Sequence, residues 1–228
     1  MAVFMIAVSV AGFGPSIIDQ SRRIAPFTPW SIAHGVVYSA WLFLFLTQAT
    51  LAATRRVALH PRVGLADIVV GLLMVATTVA LVIAWGRRGY DASGDIARVF
   101  STPPGVAVRT PPTADFAQAI FGVLVGPFIW GVFTAAGLWN RRRPEIHKRL
   151  MVMSLATLVD VPLLHLVGVV VSWRPGLQAA AFIASRVVVL TVLVAAAIND
   201  KLSSGRVHPV SLWVPLFYVV WELGWCRW

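Results

Sequence analysis

Charge is scarce in this chain. Only 12% of its 228 residues are charged, against roughly a quarter in a soluble domain. There is one cysteine, Cys226, so an intrachain disulfide framework and a CxxC metal or haem-attachment site are both excluded. The two lysines, Lys148 and Lys201, flank apolar runs rather than sit inside them, which excludes a retinal Schiff base. No HxxxH or HxxHH spacing occurs, so the histidine set of a membrane di-iron oxygenase is missing. The apolar runs show no period-two alternation, which excludes an outer-membrane barrel. The first residues, MAVFMIAVSVAGFG, lack a cationic n-region and an A-x-A site before Asp19, and read as a retained span rather than a cleaved signal.

What is present is apolar length. Hydrophobic residues make up 58% of the chain and mean hydropathy is +0.80. About 20 apolar residues suffice for a helix to cross a bilayer, and the pattern predicts about seven such spans. They are Met1–Ile18, Ser31–Ala53, Val63–Trp85, Phe116–Trp139, Leu150–Trp173, Leu177–Ile198 and Pro209–Cys226. The first and last are the shortest, and each carries a proline, Pro15 or Pro215, expected to kink it. The chain therefore reads as one all-α domain, 1–228, an integral membrane helical bundle with an extramembrane loop at 86–115. Gly122 and Gly126 form a GxxxG pair suited to close helix packing.

The formal net charge of +10 raises the question of nucleic acid. The cations lie in short clusters between apolar runs, which is the work of the positive-inside rule and of anionic headgroups, so no nucleic-acid partner is expected. Joints 54–62, 140–149 and 199–208 fall on one side and hold Arg55, Arg56, Arg62, Arg141, Arg142, Arg143, Lys148, Arg149, Lys201 and Arg206. On the other side Arg22, Arg23, Arg87, Arg88, Arg98, Arg109, Arg174 and Arg227 are diluted by Asp19, Asp91, Asp95, Asp115 and Glu222. The denser joints are expected in the cytoplasm, placing the amino terminus inside and the carboxyl terminus outside. Trp30, Trp85, Trp173, Trp225 and Trp228 fall at outer ends, and Trp139 and Trp213 near inner ends, as an aromatic belt requires.

Intramembrane polar groups carry the candidate chemistry. His34, Tyr38, Trp41, Phe45 and Gln48 recur at i, i+4, i+7, i+11 and i+14, a single helical stripe. It reads either as the wall of a pocket for a flat cofactor (b-type haem, quinone or pigment) or as interhelical hydrogen bonding with aromatic packing. His34 and His165 both lie in the outer half and, loosely matched in depth, read either as axial ligands of a b-type haem or as separately satisfied core histidines. Asp160 and Arg186 sit near mid-bilayer with depths differing by roughly 6 Å, so they are expected to pair, as a relay or as a register-fixing salt bridge, or else Asp160 is neutral and Arg186 binds helix carbonyls. Pro162 marks a kink beside Asp160. At the inner face His60, His147 and His208 each open a helix next to proline, with Arg62, Lys148, Arg149 and Arg206 around them. So many cations with so few carboxylates disfavour a metal and suit an anion, a lipid headgroup or an acidic cofactor group. The bland reading there is interfacial side chains reaching to water.

Phe13–Pro15 (FGP), His34-Gly35 with Trp41 and Gln48, Leu59–Gly64 (LHPRVG), Arg141–Met151 (RRRPEIHKRLM) and Gly205–Pro209 (GRVHP) together resemble an uncharacterised family of bacterial multi-pass inner-membrane proteins. The resemblance covers most of the chain, leaving out the outer loop and the WCRW tail. It implies a membrane bundle with His34, His60, His147 and His208 at signature positions, and it implies no activity. Enzymatic activity is left open. The leading expectation is a non-catalytic or accessory subunit, set in the bilayer among anionic lipids and packed against other membrane subunits. The alternatives are a redox or cofactor-binding protein using intramembrane histidines, and a proton or small-solute transporter.

Overall fold

The computed structural model describes residues 2–19, 26–56, 58–88, 114–171 and 178–225. All regular structure among them is helical: α1 (Ala2–Ile18), α2 (Pro29–Ala53), α3 (His60–Arg88), α4 (Ala114–Trp139), α5 (Pro144–Leu158), α6 (Asp160–Val171), α7 (Gln178–Ser204) and α8 (Pro209–Trp225). Four stretches are long and apolar enough to cross a membrane: Pro29–Ala53, His60–Arg87, Pro144–Val167 and Ile183–Ser204. Val3–Pro15, Leu124–Trp139 and Pro209–Trp221 are shorter apolar helices. Most of the expected loop 86–115 lies outside the described residues. So do Arg22, Arg23, Asp91, Asp95, Arg98, Arg109, Trp173, Arg174, Arg227 and Trp228, and the side chains of Asp115, Glu222 and Trp225.

Helix starts follow local chemistry. Thr28 caps α2 by accepting from Ser31 N at 3.0 Å, with Pro29 in the first turn where its missing N–H costs nothing. Pro144 opens α5 in the same way. Pro15, Pro127 and Pro215 are carried inside α1, α4 and α8. The expected fifth span is instead divided at Val159, three residues before Pro162.

This divided span is the most buried of the four. Its α5 half packs on α4, α7 and α8, and its α6 half on α1 and α7. The chain then closes through α1–α2, α2–α3 and α3–α4 contacts. Met5, Trp41, Met74, Trp130, Met153, Leu155, Val189 and Leu193 form the dry centre. Val36, Phe43, Leu72, Phe128, Val187 and Leu216 point outward into open space. Large apolar side chains exposed on so many helices need lipid rather than water around them.

Two of the expectations change. Trp85 is only 4% exposed, so it packs inside the bundle and not in a surface belt, and α3 continues past it to Arg88. Among the described residues nothing lies within 4 Å of where a Cβ of Gly126 would stand, so no close approach is seen at that half of the GxxxG pair; the surroundings of Gly122 lie outside the described residues. Close approach occurs instead at Gly12, where any Cβ would run into the Pro162 carbonyl, and at Gly137, where it would meet Met151 Sδ at 2.9 Å.

Candidate functional site

The three arginine-bearing joints meet at one end of the bundle. His60 opens α3 and His147 lies in the first turn of α5, and their rings stand 6.1 Å apart, edge to face at 83°. Arg149 reaches from α5 to Asp200 on α7, with Nε to Oδ2 at 2.9 Å and Nη2 to Oδ1 at 2.5 Å. Asp200 also accepts from Ser211 Oγ at 2.6 Å and from the His208 N–H at 3.2 Å, which ties the 205–208 joint to the same end. At this membrane edge the Arg149 guanidinium, with smaller help from Ser211 and the His208 amide, holds the Asp200 carboxyl well below the ordinary carboxylate range, against the opposing effect of burial.

Several members of the expected anion site are thus engaged within the protein. Arg149 serves Asp200 and Glu145, Lys148 holds Glu145 at 2.8 Å, and His208 Nδ1 accepts the Val210 N–H at 3.2 Å. His147 Nδ1 lies 2.8 Å from the Gly137 carbonyl. A carbonyl only accepts, so Nδ1 carries the proton and the lone pair is on Nε2. The close packing of Gly137 on Met151 is what brings the end of α4 near enough for this bond.

One turn and more inward lies a second layer. Gln48 Nε2 donates to Asp67 Oδ2 at 2.5 Å and to the His60 carbonyl at 3.2 Å. By helical rise Asp67 is about 10 Å from His60 along α3, and Gln48 is about 8 Å from the end of α2. Gln48 Oε1 and His60 Nδ1 are both buried and have no hydrogen-bond partner among the described residues. In a low-dielectric surround such atoms are costly and call for a ligand, water or ion.

The remaining polar residues sit deeper. Tyr38 joins α2 to the break in the fifth span by a 3.4 Å bond to the Leu158 carbonyl, and its hydroxyl lies 3.3 Å from Ser9 Oγ of α1. The Arg186 guanidinium contacts the Asp160 carboxylate at the head of α6. Toward the end of α2 away from the joints, His34 Nδ1 lies 3.3 Å from Thr77 Oγ1 and 3.4 Å from Thr78 Oγ1. Both hydroxyls give their protons to backbone carbonyls of α3, so His34 donates to them. His165 packs on Phe13 of α1, with ring centroids 4.5 Å apart. The described contacts of His34 therefore run to α3, whereas the ring contact of His165 runs to α1.

Asp67 was absent from the sequence-derived site, although a signal for it existed. His60, Gly64, Asp67, Gly71, Met74 and Thr78 repeat the same spacing on α3 that marks the stripe on α2. The two stripes face each other antiparallel: His34 against Thr78, Trp41 against Gly71, Gln48 against Gly64 and Asp67. Trp41 in turn meets Trp130 of α4 edge to face at 4.8 Å.

Among the described residues no group of three or more His, Cys, Asp or Glu side chains is placed to hold a metal ion. The inner layers instead offer two imidazoles on neighbouring helices, backed by an amide and a carboxylate. Comparison with protein-family models, with curated proteins and with solved structures yields no match.

Proposed function

We propose that the chain is a multi-pass protein of the bacterial inner membrane, its amino terminus cytoplasmic, in which His60 and His147 would hold a b-type haem whose iron would supply one-electron redox chemistry. The observation that carries this reading is the 6.1 Å separation of the two imidazole rings. Imidazole nitrogens bind transition metals at about 2.0–2.1 Å. Two rings this close could each present a nitrogen to one metal centre.

The nitrogens support the same reading. His147 has Nδ1 turned to the Gly137 carbonyl, the orienting bond usual for a metal-bound histidine, which leaves Nε2 as the ligand atom. Among the described residues His60 Nδ1 has no hydrogen bond to give up. Two imidazoles are too few for a bare ion, whose coordination the protein would have to complete; a porphyrin brings its own four nitrogens. This pair is also better matched in depth than His34 and His165.

The test is a visible spectrum of the protein purified in mild detergent, oxidised and reduced. A Soret band is expected that disappears in His60→Ala and in His147→Ala separately and survives in His34→Ala and His165→Ala. A colourless protein that gains no Soret band on titration with hemin overturns the reading. The second reading, an accessory subunit, is favoured by the pairing of the mid-bilayer charges Asp160 and Arg186 with each other. It predicts a colourless protein that co-purifies in a stable membrane complex.

A further inference from the structure

The face that carries the three joints has an unbalanced set of cations. Its exposed carboxylate, Glu145, is taken by Lys148 and Arg149, and Asp200 is taken by Arg149. Arg55, Arg56, Arg62, Arg141, Arg142, Arg143 and Arg206 are exposed, and their side chains have no partner among the described residues. The contact of the His60 and His147 rings brings the Arg55/Arg56/Arg62 cluster and the Arg141–Arg143 cluster to adjoining positions.

Arg55 adds a second observation. Thr54 ends α2, and Arg56 N and Arg55 N bond back to the Leu51 and Ala52 carbonyls at 2.9 and 3.2 Å, closing a Schellman turn. The turn puts Arg55 at φ 56°, the left-handed region that glycine adopts without strain. An arginine is held there at a conformational cost, with its side chain projecting beyond the end of α2. The level of the rim is marked by Trp139 and Trp213, 88% and 67% exposed, which lie at the ends of α4 and α8 that face it. Exposed tryptophan at helix ends belongs at the headgroup layer.

We propose that this rim is a binding surface for anionic phospholipid, in which the Arg55/Arg56/Arg62 and Arg141–Arg143 clusters each receive a phosphate. A lipid bearing two phosphates bridges the clusters. Guanidinium groups suit this ligand because they bind phosphate oxygens in bidentate fashion. Neither cluster includes a proposed haem ligand, so the surface does not rest on the haem reading.

Native mass spectrometry of the purified protein tests this, after exposure to equal amounts of cardiolipin, phosphatidylglycerol and phosphatidylcholine in mixed micelles. The wild type is expected to retain cardiolipin over phosphatidylcholine. Retention should fall roughly fivefold for each arginine removed, on the order of a hundredfold for Arg55→Gln/Arg56→Gln/Arg62→Gln. Arg141→Gln/Arg142→Gln/Arg143→Gln should show a similar fall, and Arg87→Gln on the opposite side no change. Thermal unfolding of each variant in detergent separates lost lipid binding from lost fold, and variants with lysine at the same positions keep the charge if the glutamine variants do not fold. Equal retention of the three lipids by the wild type overturns the proposal, as does undiminished cardiolipin in both folded triple variants. Inorganic phosphate that displaces cardiolipin at equal concentration also overturns it, since the rim would then be a site for the free ion.

Discussion

The Tyr38 hydroxyl bonds to the carbonyl of Leu158, the residue four places before Pro162. Proline has no N–H, so this carbonyl is the one that loses its helical donor, and it does so in a region without water. A side chain from α2 thus repairs the break in the fifth span, while Ser9 of α1 hydrogen-bonds the same hydroxyl. Tyr38→Phe should lower stability by about 1–2 kcal/mol, a buried carbonyl being left unmet. The measurement is unfolding in mixed micelles followed by tryptophan fluorescence. Ser9→Ala should cost less, since Tyr38 can still donate to Leu158 without it. A Tyr38→Phe protein as stable as wild type would mean that the carbonyl finds another donor.

Much of this arrangement was legible in one dimension. The heptad-like stripe from His34 to Gln48 faces inward, and the arginine-rich joints share one end, because lipid forces polar side chains and charged turns into those places. Pro162 announced a break. What the sequence could not supply was the partner across each gap. That Tyr38 meets Leu158, 120 residues away, depends on how closely α1 and α2 approach the divided span, which the bare backbone at Gly12 permits. Asp67 is hard to single out in the sequence, because its neighbours on α3 are glycine, methionine and threonine and so leave the stripe almost without polarity. Trp85 differs in the opposite direction: tryptophan at the end of an apolar run suits a belt, yet hydropathy does not say which face of α3 turns inward, and Trp85 is on the buried one.

The Schellman turn at Arg55 sets stability against lipid binding. Replacing Arg55 by glycine removes a left-handed strain of about 1 kcal/mol. The Arg55→Gly protein is therefore expected to melt higher than wild type in neutral detergent, and to retain less cardiolipin. Arg56→Gly, one residue on, should lower retention without the gain in stability. A fall in melting temperature for Arg55→Gly would show that the arginine makes a contact worth more than the strain.

Asp160 and Arg186 sit where an unmatched charge is most expensive, and the structure pairs them. Asp160→Asn should cost about 3 kcal/mol, because it leaves the guanidinium without its counter-charge. The double change Asp160→Leu/Arg186→Met should recover most of that loss, since it removes both desolvation penalties. Such recovery would assign the pair to register and packing. A double variant no more stable than Asp160→Asn would mean that the ion pair itself is required, as a proton or ion relay would demand.

The Asp200 network gives a pH dependence whose sign can be worked out. Hydrogen bonding by Arg149, against the opposing effect of burial, lowers the folded pKa of Asp200 below its unfolded value of about 3.9. A depressed carboxylate contributes stability above the unfolded pKa and loses it as pH falls through the folded one. Between about pH 5 and pH 8 its contribution should be full and flat. Asp200→Asn should accordingly show a constant deficit of about 3 kcal/mol across that range, because Arg149 and Ser211 lose a nearly buried acceptor. Below about pH 4 the wild type should lose stability toward the variant, because the carboxyl of the unfolded chain takes up a proton before that of the folded protein does. Thermal unfolding of both proteins in the same detergent at pH 3, 5 and 7 reads the difference directly. A deficit that persists unchanged into acid would locate the loss in packing around Ser211 rather than in the ion pair.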